Sequence, residues 1–115
     1  MKDLMYTTII INSPFLGRGN DDLGKTLMGS FLRKLWASDK KPDKIIFYNE
    51  AIHLMAEKSA VLDALEGLSK AGVDLIGCIT CMKYFQLDNK LVVGRQGDMV
   101  EIISILMKSD RIITP

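Results

Sequence analysis

Gly72-Val-Asp-Leu-Ile-Gly-Cys-Ile-Thr-Cys-Met-Lys-Tyr-Phe85 holds a strand, a turn and both cysteines of this chain. Val73–Gly77 reads as a short buried strand. Cys78 sits just past its end, and Cys81 follows three residues later. A helix beginning after Cys78 would point unpaired N–H groups and the positive end of its dipole at that sulfur. Such surroundings favour the thiolate, the reactive form of cysteine. The expected chemistry is therefore sulfur chemistry, with Cys78 as the more reactive residue.

The rest of the chain repeats the strand-then-helix order. Tyr6–Asn12 is β-branched and nearly continuous in apolar residues, as a central strand buried on both faces requires. Pro14, Gly17 and Gly19 mark a loop, and Asp21 or Asp22 is placed to cap a helix. In that helix Leu23, Leu27, Met28, Phe31, Leu32, Leu35 and Trp36 recur at helical spacing, up to Ser38. Lys44–Tyr48 is a second strand. Asn49–Lys58 is rich in apolar residues but shows no clean period. Ser59 is positioned as an N-cap for a helix with the stripe Val61, Leu62, Leu65 and Leu68, which Gly72 stops. After the cysteines, Met82–Leu87 reads as a short helical piece and Leu91–Val93 as a fourth strand closed by Gly94. Asp98-Met-Val-Glu101 has capping-box spacing. Ile102, Ile103, Leu106 and Met107 give the last helix an apolar face, and Arg111–Thr114 is the fifth strand.

This alternation predicts an α/β fold: a single compact domain over residues 1–115, with a mainly parallel five-stranded sheet and helices on both faces. Ligands of such folds gather at the C-terminal ends of strands, where Cys78, the Ser13–Asn20 loop and Asn49–His53 would converge.

Composition narrows the function classes. The chain has 115 residues, 48% hydrophobic and 25% charged, with a formal net charge of +1. No basic run with interleaved aromatics suggests nucleic acid, and no apolar run approaches the ~20 residues of a membrane span. The first residues, Met-Lys-Asp-Leu-Met-Tyr, lack the features of a signal peptide. Two cysteines three apart are not a secreted disulfide framework and fit a cytoplasmic protein. They are also too few for a structural zinc site with His53 as the only histidine, so no metal or cofactor is expected.

Gly19-Asn-Asp-Asp-Leu-Gly-Lys-Thr26 matches the phosphate-loop pattern. Asp21 and Asp22 put negative charge where a polyphosphate would sit, and six residues separate the preceding strand from Gly19. Gly24, Lys25 and Thr26 are expected inside the first helical turns, with no nucleotide bound. The Cys-x-x-Cys pair lies after the third strand, and the three prolines, Pro14, Pro42 and Pro115, offer no thioredoxin-like partner beside it. His53 reads as a packed or surface residue. Lys83 and Arg95 are candidates for steadying a thiolate or binding an anion, and Tyr84-Phe85 reads as core.

Several segments together resemble the DsrE/DsrF-like family, and most nearly the C-terminal domain of YedF-type sulfurtransferase-like proteins linked to selenium metabolism. They are Gly17-Arg-Gly-Asn-Asp-Asp-Leu-Gly24, Phe47-Tyr-Asn-Glu50, Gly72–Cys81, Leu91-Val-Val-Gly94 and the closing Met99–Thr114. Ile79 stands where the family's Cys-Gly-Thr-Cys motif has glycine. The resemblance implies a sulfur-handling protein, a cysteine-persulfide carrier or sulfurtransferase-like relay component for sulfur or selenium, with Cys78 and Cys81 as the motif cysteines. It implies self-association as a homotrimer or hexamer and suggests a TusA-like sulfur carrier as a partner. A non-catalytic oligomeric or ligand-binding module, and a dithiol redox protein, stay open as alternatives, so enzyme activity is undecided. Ala51–Ala56, lacking a one-faced period, is the expected subunit contact.

Overall fold

A computed structural model describes residues 5–115; the signal-peptide reading falls in part on residues 1–4, outside the described residues. Five strands form one all-parallel sheet: β1 (Thr7–Ile11), β2 (Lys44–Phe47), β3 (Asp74–Cys78), β4 (Arg95–Gly97) and β5 (Arg111–Ile113), in the order β4-β3-β2-β1-β5. The helices are α1 (Asp21–Ala37), α2 (Leu62–Lys70), α3 (Ile79–Tyr84) and α4 (Met99–Lys108), and a 3-10 helix spans Asn49–Met55. Side chains alternate across the sheet. Ile9, Ile11, Ile45, Phe47 and Leu75 meet Met28, Leu32, Leu65 and Leu68 of α1 and α2 in the larger core. Ile46, Ile76 and Cys78 point the other way and meet Ile102 and Ile105 of α4. The chain steps from β1 to β2 to β3 under α1 and α2, then crosses back from β4 to β5 over α4. Opposite directions on opposite faces keep one handedness of crossover.

Local chemistry explains the ends. Asn20, rather than either aspartate, caps α1, its side chain accepting from the Leu23 N–H at 2.9 Å; Asp21 and Asp22 lie in the first turn. There they suit the positive end of the helix dipole. Gly24, Lys25 and Thr26 do lie within those first turns. The buried side of α1 follows Gly24, Met28 and Leu32, so Leu23 and Leu27 of the expected stripe face solvent. Ser59 does not cap α2. Its hydroxyl accepts from the Val61 N–H, two residues ahead of the N-cap position that Val61 itself occupies. Gly72 ends α2 at φ +99°, with Val73 N–H donating to Leu68 O and Gly72 N–H to Ser69 O, the paired bonds of a Schellman stop. Asp98 caps α4 by accepting from the Glu101 N–H at 2.8 Å.

Three expectations are corrected. The fourth strand is Arg95–Gly97, not Leu91–Val93. Leu91 makes only an isolated antiparallel bridge to Ala56, and the Val92 N–H donates to Met55 O. Arg95 fixes the true strand by binding Asp74 at 2.9 Å and Glu101 at 2.6 Å. The Arg95 guanidinium holds both carboxyls below their usual range, so Arg95 is committed to the sheet and does not serve the cysteines. Ala51, Ile52, Leu54 and Met55 are buried within the subunit, so this segment offers no exposed patch. The apolar surplus lies instead on α4, where Met99, Val100, Ile103 and Met107 are exposed while Ile102 and Ile105 are buried.

Candidate functional site

The strand ends beside β3 build the site. β2 and β3 run in register with Phe47 opposite Gly77, so Tyr48, just past β2, lies level with Cys78 at the end of β3. Cys78 is the last residue of β3 and the N-cap of α3, in extended backbone. It takes the face of the sheet already used by Ile76, which α4 covers, and it is 3% exposed. Cys81, in the first turn of α3, is only partly buried. Access therefore favours Cys81, although helix position alone favoured Cys78.

The backbone of the neighbouring strand reaches the pair. Asn49 is held at φ +52°, a left-handed conformation that asparagine tolerates better than most residues. This turn starts the 3-10 helix and directs the Asn49 N–H to Cys81 Sγ at 3.1 Å. Burial pushes the Cys81 thiol up, and a hydrogen bond shared with the Cys78 side chain adds to it. The Asn49 amide works in the opposite direction without offsetting them. Burial likewise pushes the Tyr48 phenol up, with Cys78 and Cys81 contributing.

The sequence places Asn49 on the rim and both Tyr48 and Asn49 in a segment of the family resemblance, but does not bring either to the cysteines. The available signal was their position, directly after the second strand and level with the end of the third. Of the other candidates, His53 packs its ring edge-on against Phe85 at 4.9 Å, as a packed surface residue would. Lys83 is exposed and makes no ion pair among the described residues. Tyr84 is not core: it is 80% exposed, with its ring edge-on to Phe85. No cluster of potential metal ligands occurs among the described residues, and none of their helices is long and apolar enough to cross a membrane.

Two thiols three residues apart at one strand end, one buried and one partly exposed, with an amide donor on the more exposed sulfur, can form and break sulfur–sulfur bonds. No curated protein matches the chain. Solved structures share the fold at low sequence identity. The ychN protein of E. coli is similar over 97% of this chain and 100% of that one, with a TM-score of 0.75 at 16% identity. MTH1491 from Methanobacterium thermoautotrophicum, a protein of unknown function, is similar over 95% and 97%, with a TM-score of 0.70 at 18% identity. BT1422 from Bacteroides thetaiotaomicron, also of unknown function, is similar over 95% and 93%, with a TM-score of 0.64 at 15% identity. The sequence itself carries the family signature throughout: residues 5–115 match the DsrE/DsrF-like family, and the chain belongs to it.

Proposed function

We propose that this protein carries sulfane sulfur as a cysteine persulfide at the Cys78–Cys81 pair. The observation that supports this reading is the Asn49 N–H directed at Cys81 Sγ, 3.1 Å away, beside a second thiol. An amide donor stabilises a sulfur as it takes on negative charge. In the loading step the Cys81 thiolate attacks the outer sulfur of a donor persulfide. A new sulfur–sulfur bond forms, the donor's bond breaks, and the donor thiolate leaves with the electron pair. An acceptor thiolate reverses the exchange. Alternatively, Cys78 attacks the inner sulfur, giving a Cys78–Cys81 disulfide and releasing hydrosulfide. The exchange route restores the free thiols by itself, whereas the disulfide route needs an external dithiol reductant to return the pair to its starting state. The sulfur partners are thiol or persulfide groups, as on a TusA-like carrier, and the setting is the reducing cytoplasm. The chain self-associates, in the trimer or hexamer that the family resemblance implies, through the exposed apolar side of α4.

Polysulfide treatment followed by intact-mass and peptide mass spectrometry tests the chemistry. Wild type is expected to gain one sulfur on Cys81, Cys81→Ser none, and Cys78→Ser a longer-lived adduct because the resolving thiol is gone. Alkylation of Cys81 should lag an ordinary cysteine near neutral pH and rise above the usual thiol range, since its pKa is raised. The proposal fails if neither wild type nor Cys78→Ser gains a sulfur, or if Cys81→Ser is loaded as well as wild type.

A further inference from the structure

A concave site lies beyond the 3-10 helix, and neither cysteine lines it. From the geometry we infer that it binds a small organic anion with a flat apolar body, such as an aromatic carboxylate. The cavity holds about 580 Å³ between the loop after β1, the middle of α1 and the segment leading into α2. That is within the usual range for small-molecule sites, roughly 300–1,000 Å³. Its walls are apolar: Phe15, Met28, Leu54 and Val61. His53 adds an imidazole face, steadied from behind by Phe85 at 4.9 Å.

The charged groups at this cavity are unequal in availability. Arg33 is already spent, its guanidinium donating to both Asp63 oxygens and to Ala60 O. Lys25 and Lys58 also line the cavity, and neither side-chain ammonium makes an ion pair or hydrogen bond among the described residues. Glu57 is the one carboxylate in the lining, so the free groups leave a positive excess. Lys58 is held at φ +71°, where a residue with a side chain is strained. Strained backbone of this kind clusters at ligand clamps. Here it sets a cationic side chain at the mouth of an apolar cavity. Gly29 lines the same space, and a Cβ there would meet only the far end of Arg33, at 2.7 Å, before reaching Val61 Cγ1 at 4.0 Å. A larger residue there would push the Arg33 guanidinium aside and occupy the cavity. An apolar wall selects the body of the ligand, and the two ammonium groups select its charge. The Lys-Thr of the phosphate-loop look-alike thus lines a cavity on the side of the first turns of α1.

Amide chemical-shift titration with 1-naphthylacetate, 1-naphthylmethylamine and acetate tests the inference on the intact protein. The naphthylacetate should bind saturably, with shifts centred on Gly29, His53 and Lys58–Val61, and about tenfold or more tighter than either control. Lys58→Gly relaxes the left-handed backbone while removing the ammonium, so it should stay folded and bind about threefold to tenfold more weakly. Gly29→Leu replaces glycine by a better helix former and should stay folded with the cavity plugged and binding lost. Cys78→Ser and Cys81→Ser should bind as wild type, which separates this site from the sulfur chemistry. Equal binding of the amine and the acid, shifts centred elsewhere, or unchanged affinity in folded Gly29→Leu would each overturn it.

Discussion

Ile52→Asp is expected to abolish folding rather than split an assembly. Ile52 is 0% exposed within one subunit, packed with Phe47, Met55 and Leu65 in the larger core. A carboxylate there has no partner, and an unpaired buried charge costs several kcal/mol against a total stability of about 5–15. Circular dichroism should show no cooperative thermal transition at any protein concentration. Ile103→Asp is the informative contrast. Ile103 is 53% exposed on α4, so the charge stays solvated and the fold survives. If α4 is the subunit contact, light scattering then reports a smaller mass for Ile103→Asp than for wild type. A well-folded Ile52→Asp protein with reduced mass would return the interface to the 3-10 helix.

Gly94→Ala should be the most damaging exchange of a single methyl group. Gly94 has φ +80°, and an added Cβ would lie 2.8 Å from the Leu75 carbonyl oxygen and 2.5 Å from Met55 Cε. The left-handed backbone alone costs a side chain about 1–2 kcal/mol. Overpacking against a strand carbonyl, which cannot swing aside, adds a similar amount. The sum of about 3 kcal/mol corresponds to a fall in Tm on the order of 10–20 °C for a domain of this size. Gly72→Ala isolates the backbone part, because φ is +99° but nothing lies within 4 Å of the new Cβ. Its loss should be no more than about half as large. Equal losses at the two sites would show that packing at Gly94 contributes nothing.

The sequence disclosed much of what depends on neighbours in the chain, though the caps of α1 and α2 fell on other residues than expected. Thr7–Ile11 and Lys44–Phe47 are β-branched or apolar runs, Gly72 must stop a helix, and Asp98 must start one; each of these follows from local sterics and hydrogen bonding. Features set by distant contacts stayed hidden. Arg95-Gln-Gly97 has little strand propensity and becomes β4 because Asp74 and Glu101 grip Arg95. Ala51, Ile52, Leu54 and Met55 showed no helical stripe because their repeat is three: 51 with 54, and 52 with 55. That is the period of a 3-10 helix, and both rows are buried. The Cys-x-x-Cys pair and its place at a strand end were legible. Which cysteine faces solvent was not, since that depends on α4 covering the face that carries Ile76 and Cys78. The Asn49 amide on Cys81 spans 32 residues, beyond any local pattern.

β1 draws its two neighbours from very different parts of the chain. β2 follows within one helical crossover, but β5 pairs Thr7 with Arg111, 104 residues later. On a translating ribosome, the first strand therefore waits until Arg111 emerges, 104 residues later, with one side unpaired. Contacts so far apart in sequence form slowly, even after release. During that interval Thr-Thr-Ile-Ile-Ile is a bare β-branched edge, the kind of surface on which nascent chains adhere to one another. The last strand is thus the closing seam of the sheet, and a chain stalled before Arg111 presents to chaperones and proteases a nearly finished domain with its most adhesive strand open.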